Sequence, residues 1–328
     1  MADATAYRLG FAVKVLGEGG LPSHDTRRWS SGPHLRHSLA MLSEIVGYLE
    51  RHDIRMYRMA SALAPYASHP DLPQFHDQVH ECMEELADLG MAVRAAGIRL
   101  SAHPGQYTVL NSADPAVAAA AAAELEVQAS LLDAMGLDEE AVVVLHVGGT
   151  TDGREAAVDR FKRAVERLSD RARARLVIEN DDRSFALVDV LGIAEHTGLR
   201  VVWDVLHHRC LDPSGIPDLE AMAAAFATWA ADATPKVHFS SPRLDVHERV
   251  TRSGRRVTRR NVLPQLRAHA DLIDPIGFEY FVRSGAGRRP FDVMLEAKAK
   301  DLALLRLRDQ LGYRGLTWSQ GRLIVPAP

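Results

Sequence analysis

Residues 141–150 read Ala141-Val142-Val143-Val144-Leu145-His146-Val147-Gly148-Gly149-Thr150. Residues 141–147 form a continuous apolar run, the pattern of a strand buried on both faces, as in parallel sheets. The run ends in a histidine and then a glycine pair that breaks the strand. Upstream, residues 98–102 read as a similar short strand, and His103 sits where it stops. Pro104-Gly105 turns the chain there, and Gln106 and Tyr107 present an amide and an aromatic ring beside the histidine. A polar cluster at the carboxyl end of a strand is where α/β sheets and barrels keep their chemistry. A single histidine at a strand end is equally well explained as a capping or core residue.

Working outward, strand and helix alternate along the whole chain. Strands are predicted over 7–15, 54–60, 98–102, 141–147, 175–179, 199–204, 236–240 and 292–296. Helices are predicted over 34–52, 73–96, 115–135, 154–168, 184–196, 218–231, 274–282 and 297–310. About eight strand–helix units with no linker or composition break predict a single (β/α)8 TIM barrel spanning 1–328. The segment 242–265 reads as an Arg-rich loop inserted into it.

The chain's 328 residues, 47% hydrophobic and 25% charged, suit a globular protein with ample core, and a net charge of -4 excludes a globally basic one. Two cysteines offer no disulfide framework, which fits a reducing cytoplasm. Neither a secretory signal at the N-terminus nor a membrane-spanning run is expected.

The positions of the 15 histidines matter more than their number. His103, His146, Glu179, Asp204 and Glu296 each fall at the last position or two of a predicted strand. Lys236 and His238 are two apart on one strand and so share a face. His207 follows Asp204 by three, with His208 as its competitor; His69 and His269 lie in loops at the same end, with His247 competing for the place of His269. In a barrel these positions converge on one mouth. Imidazoles mixed with carboxylates suit Mn²⁺ or Zn²⁺ better than Mg²⁺. A carboxylate such as Glu179 can bridge two ions, and paired ions suit phosphodiester chemistry. Lys236 among cations must pair with a carboxylate, contact phosphate, or be carboxylated to an anionic ligand.

Seven strings carry a family resemblance: R-M-A-S-A-L-A-P-Y-A-S-H-P at 58–70, S-A-H-P-G-Q-Y-T-V-L-N-S at 101–112, L-H-V-G-G at 145–149, L-V-I-E-N-D-D at 176–182, W-D-V-L-H-H-R-C at 203–210, K-V-H-F-S-S at 236–241 and D-V-M-L-E-A-K-A-K-D at 292–301. In this order they resemble the UV damage endonucleases across nearly the whole chain. The resemblance implies a barrel of the xylose-isomerase and apurinic-endonuclease type holding up to three divalent ions, generally Mn²⁺, with Zn²⁺ or Mg²⁺ as alternatives. It implies a DNA repair hydrolase that nicks immediately 5′ to cyclobutane pyrimidine dimers and 6-4 photoproducts, and cuts at abasic sites. Its partner is damaged double-stranded DNA, and the protein is expected as a cytoplasmic monomer of prokaryotic type, held at the nucleoid through DNA.

The ligands so implied are His103, His146, Glu179, Asp204, His207, His238, His269 and Glu296. Lys236 matches a carboxylated lysine, and His69 a histidine near the reacting phosphate. Gln106 and Tyr107 match a lesion-probing pair. R-L-G-F at 8–11 replaces the usual R-L-G-Y, which leaves Phe11 to stack at the lesion without a hydroxyl. The run R-V-T-R-S-G-R-R-V-T-R-R at 249–260, with Arg255 and Arg256 at its centre, is expected to contact phosphates, and Arg288-Arg289 to add to it at the same end. Three rival readings remain: a sugar isomerase with a similar metal mouth, a general abasic-site endonuclease, and a non-catalytic damage-binding barrel.

Overall fold

The computed structural model describes residues 4–254, 256–285 and 287–327. The barrel strands and their helices run β1 (Thr5–Ala12), α1 (Leu35–Arg51), β2 (Met56–Arg58), α2 (Gln78–Glu81), α3 (Met83–Ala95), β3 (Arg99–Ser101), α4 (Pro115–Ala134) and β4 (Val143–His146). They continue with α5 (Arg154–Glu166), α6 (Asp170–Arg175), β5 (Leu176–Glu179), α7 (Leu187–Thr197), β6 (Arg200–Asp204), α8 (Val205–Cys210), α9 (Asp218–Phe226) and β7 (Lys236–Phe239). A two-stranded ribbon, β8 (His247–Ser253) and β9 (Arg256–Val262), precedes α10 (Pro275–Gly285), β10 (Asp292–Leu295) and α11 (Lys300–Tyr313). A hairpin of β11 (Thr317–Ser319) and β12 (Arg322–Val325) ends the fold.

Eight parallel strands make the ring, in the order β1, β2, β3, β4, β5, β6, β7, β10 and back to β1. Between β3 and β4 the ring is joined by one bridge, Ala102 with Val143. There Ala102 N donates to the Val142 carbonyl and Val144 N to the Ala102 carbonyl, both at 2.9 Å. The (β/α)8 barrel is therefore the fold.

Strand alternation sorts the side chains into two sets. Leu9, Tyr57, Leu100, Val143, Leu145, Ile178, Val201, Trp203, Val237 and Val293 face outward and pack with the helices in the main core. The alternate residues face into the barrel. Val142, Val144, Val177 and Val202 gather there over Trp229, and Ala12, Met56 and Met294 form a second inner group. Beside these apolar groups, Arg99 pairs with Asp292 at 2.9 Å, and Arg8 contacts Asp292 at 3.4 Å and Glu140 at 3.1 Å. At Gly10 the wall is so close that a Cβ would stand 2.7 Å from the Met56 carbonyl oxygen.

Four sequence expectations change. The helix predicted over 73–96 is divided at residues 76–77 and at Cys82 into a 3-10 turn, α2 and α3; just after the first division the buried Gln78 amide donates to the Pro65 and Phe75 carbonyls and its oxygen accepts from Leu35 N. The Arg-rich segment is a β-ribbon, not a loop. The terminal hairpin adds to the predicted elements; its β12 pairs antiparallel with β1. Arg288 and Arg289 precede β10, so they lie at the end of the barrel opposite the strand carboxyl ends. Arg289 there donates to the carbonyls of Phe226, Trp229 and Ala233 behind α9.

Candidate active site

Glu179 is the hub of the barrel mouth. It is the last residue of β5, inward by alternation and almost wholly buried. His238 Nδ1 lies 2.8 Å from Glu179 Oε1, and His103 Nε2 lies 3.1 Å from Oε2. His146 Nε2 and His207 Nδ1 stand 3.7 Å from the same carboxylate. A second carboxylate, Glu296, follows β10 and pairs with Arg58 at the end of β2. His238 Nδ1 is 3.5 Å and His269 Nδ1 3.7 Å from Glu296. The imidazoles form a continuous series: ring centroids lie 5.3 Å apart for His103 and His146, 5.7 Å for His146 and His207, and 5.9 Å for His207 and His269.

Local chemistry explains how the chain delivers these groups. Asp204 ends β6 and caps α8, accepting from His207 N at 2.7 Å, so strand and helix follow one another without a loop. That turn aims His207 back over the mouth, where its Nδ1 lies 3.1 Å from the Asn180 carbonyl. Asn180 in turn ties β5 to β6: its amide donates to Asp204 O at 3.0 Å and accepts from Asp204 N at 2.9 Å. His269 is placed by the bridge between Pro242 and its own backbone.

All eight candidate ligands therefore meet at one mouth, and three sets of them bring donor atoms within 4.8 Å: His103, His146 and Glu179; Glu179, Asp204 and His207; Asp204, His238 and Glu296. Among the described residues, the buried atoms Asp204 Oδ2, His238 Nε2 and His146 Nδ1 have no hydrogen-bond partner. Orphaned polar atoms at such depth are costly unless something binds them. The donor set of imidazoles and carboxylates fits divalent metal ions. The electrostatics agree. Burial raises the Asp204 carboxyl well above its usual range, and the charges of Glu179 and Glu296 add to the shift despite His207. Against its own burial, His207 is lifted to about 9 by Asp204, Glu179 and Glu296. His103 is pushed by burial to about 4, with Glu179 opposing. A divalent cation relieves the crowding of like charge among the carboxylates.

Lys236 lies one inward layer below His238 and is fully buried, its Nζ 2.8 Å from Ser101 Oγ. Burial, with Arg58 and Arg99 adding, brings its pKa well below the usual lysine range, so the amine is held toward its neutral form.

Other expectations are placed differently. His208 turns away, 2.8 Å from the Ile216 carbonyl and edge-on to Trp203, so His207 is the member of the cluster. His247 begins β8 in the ribbon. His69 stands apart from the mutually contacting group; it accepts from Asp71 N and, with Tyr66, Ser68, Tyr107 and Glu124, lines a pocket of about 360 Å³. Gln106 and Tyr107 are exposed at the tip of a turn closed by Thr108 N donating to Gly105 O at 2.9 Å, Tyr107 being 84% exposed. The turn thus centres on Gln106-Tyr107 rather than on Pro104-Gly105.

Phe11 is a correction. It shares outward parity with Tyr7 and Leu9, is fully buried, and packs edge-on against Tyr57 with centroids 5.4 Å apart. It offers no surface to a lesion. Arg256 is exposed on β9, and Arg255 lies outside the described residues. Two residues of the site, Arg58 and Asn180, carry no chemical signal in the sequence alone. Both stand inside the strings 58–70 and 176–182, beside positions that do.

A model of the UV-endonuclease UvdE family matches residues 36–323. The chain belongs to this family. UvdE relatives bear it out along most of their length. A protein named UV DNA damage endonuclease from Bacillus cereus (strain G9842) is 29% identical over 88% of this chain and 86% of its own. Another so named, from Bacillus pumilus (strain SAFR-032), is 32% identical over 79% of this chain and 76% of its own. The crystal structure of SacUVDE superposes with a TM-score of 0.77 at 28% identity, over 94% of this chain and 99% of the other. The matched residues 36–323 include every strand end that carries a candidate ligand.

Proposed function

We propose that the protein is a metal-dependent DNA repair endonuclease that hydrolyses the phosphodiester immediately 5′ to cyclobutane pyrimidine dimers and 6-4 photoproducts, and at abasic sites. One observation carries the reading: eight imidazole and carboxylate side chains, six from the ends of six different strands with His207 from α8 and His269 from the loop after the ribbon, converge at the barrel mouth around Glu179 and Glu296, with orphaned buried atoms among them. The exposed Gln106-Tyr107 turn follows directly from one of these ligands.

His103, His146, Glu179, Asp204, His207, His238, His269 and Glu296 would hold up to three divalent ions, Mn²⁺ foremost. Bound there, divalent ions lower the pKa of water and offset charge on the phosphodiester oxygens. Glu179 draws the imidazoles together, and Asn180 sets the spacing of β5 and β6 beneath them. Lys236, whose amine burial holds toward the neutral form, would add carbon dioxide there: the nitrogen lone pair bonds to carbon, a proton leaves the nitrogen, and an anionic carbamate results. Gln106 and Tyr107 fill the space left when damaged bases leave the stack. Such bases stack poorly and cost less to extrude, which supplies selectivity without a base-edge code. His69, on the wall of the pocket next to Tyr107, contacts the phosphate chain entering the site.

The test is nicking of supercoiled plasmid by purified protein with Mn²⁺. Irradiated plasmid should be nicked and unirradiated plasmid left intact; equal nicking of both would remove lesion specificity from the reading. Glu179→Ala should abolish cutting and lower the bound metal. Tyr107→Ala should keep the metal and lose most of the preference for irradiated DNA.

A further inference from the structure

Between β7 and α10 the chain leaves the barrel as the ribbon of β8 and β9, and the register of that ribbon gives it two unlike faces. Arg249 stands opposite Arg260, Thr251 opposite Thr258 and Ser253 opposite Arg256. By strand alternation these six side chains share one face. The other face carries the pairs Glu248 with Asn261, Val250 with Arg259 and Arg252 with Val257. On that second face charge is balanced in part, since Arg259 donates to Glu248 at 2.6 Å. The first face has three guanidinium groups, three hydroxyls and, among the described residues of the ribbon, no carboxylate. Val262, at the open end of the ribbon, shares this face, and with Arg249, Thr251, Thr258 and Arg260 it lines a groove along it. Arg249, Arg256 and Arg260 are exposed.

Such an arrangement works against the isolated ribbon. Like charges directly opposite each other weaken a β-pair, and Arg249 faces Arg260. A two-stranded ribbon without a packed face has little else to stabilise it. A polyanion laid along the face removes the repulsion. Its donors are all of the kind that bind phosphate oxygens, and guanidinium and hydroxyl groups spaced along one face suit a repeating chain of them.

The ribbon is also rooted at the site. Pro242 bridges to His269, Ala270 N donates to Ser241 O at 2.9 Å and Arg243 N donates to Ala268 O at 2.6 Å. His269 is the residue that faces Glu296.

We infer that the face formed by Arg249, Arg256 and Arg260 docks on the phosphate backbone of duplex DNA beside the lesion and holds the duplex over the barrel mouth. The inference rests on the reading above that the substrate is duplex DNA. It assigns the ribbon to affinity and placement, not to chemistry or lesion choice, because phosphate contacts carry no sequence information.

The test compares the full-length protein, R249A/R256A/R260A, and R252A/R259A from the opposite face. Binding to a duplex with one photoproduct, and to the same duplex undamaged, is measured from 50 to 200 mM salt. The first variant should bind both duplexes about tenfold or more weakly. Its slope of log affinity against log salt should shrink by about 2 to 3, near 0.9 for each phosphate that is no longer neutralised. KM for nicking should rise with kcat at saturating DNA unchanged. The opposite-face variant should change the slope by less than half as much. An unchanged slope in the first variant, or an equal weakening in both, would overturn the inference. Failure of the unsubstituted protein to nick irradiated DNA would instead overturn the reading of the active site. Melting temperatures are measured alongside, and a variant that melts early is replaced by R249Q/R256Q/R260Q.

Discussion

Phe11 shows how much one position's parity decides. It is one residue from Gly10, which faces the interior of the barrel, yet its ring lies outside the strand wall among Tyr57 and the helix-facing core. A hydroxyl added to that ring enters an apolar region, where an unpaired polar group costs about 1–3 kcal/mol. Phe11→Tyr should therefore lower the melting temperature by several degrees and leave lesion nicking per folded molecule unchanged. A rise in lesion affinity with no loss of stability would place the ring at the DNA after all. Glu179 is the opposite case. Its parity points it inward, and burial there would raise its carboxyl, but His238, His146 and His103 outweigh burial and hold it well below the usual range. The candidate ligands were legible at this scale because strand-end position and alternation are local properties. Arg58 was not, because an arginine at the end of a three-residue strand has no signature until Glu296 is seen beside it.

At the scale of elements, close contact between helices overrides local propensity. Gly90 lies inside α3, where alanine is ordinarily the better helix former by about 1 kcal/mol. A Cβ at Gly90 would stand 1.8 Å from the carbonyl oxygen of Met135, the residue that closes α4. Backbone cannot move aside as a flexible side chain can, so Gly90→Ala should destabilise by about 1–3 kcal/mol. A urea midpoint below that of the unsubstituted protein, at equal m-value, is the expected result; a higher midpoint would show that α3 and α4 do not approach this closely. Element boundaries were least legible where a tertiary partner sets them. The periodic run over 73–96 divides at 76–77, just before Gln78 opens α2 with its side-chain amide serving Leu35, Pro65 and Phe75 at once. The ribbon's alternation of Val and Thr with Arg around Ser253-Gly254 is a hairpin signal, obscured by charge on both faces.

For the whole molecule, the mouth is a place where charge is gathered before anything binds it. Ions that bind the folded barrel and not the unfolded chain stabilise it by about 2.7 kcal/mol per site at a hundredfold excess over Kd. Chelator-treated protein should consequently melt several degrees higher when Mn²⁺ is restored, and Glu179→Ala should lose most of that rise. No change with Mn²⁺, Zn²⁺ or Mg²⁺ would mean that the cluster holds no ion. The amino-acid sequence by itself determined the alternation of strand and helix, the inward parity of His103, His146, Glu179, Asp204, His238 and Glu296, and the family resemblance, because each depends on residues near one another in the chain. Only the tertiary structure decided that His207 and not His208 joins the group, that Phe11 is core, that Arg288 and Arg289 lie at the far end, and that the arginines of the ribbon separate into two faces. Those outcomes depend on ring closure and strand register, which set atoms more than a hundred residues apart within 3 Å of one another, as with Lys236 and Ser101.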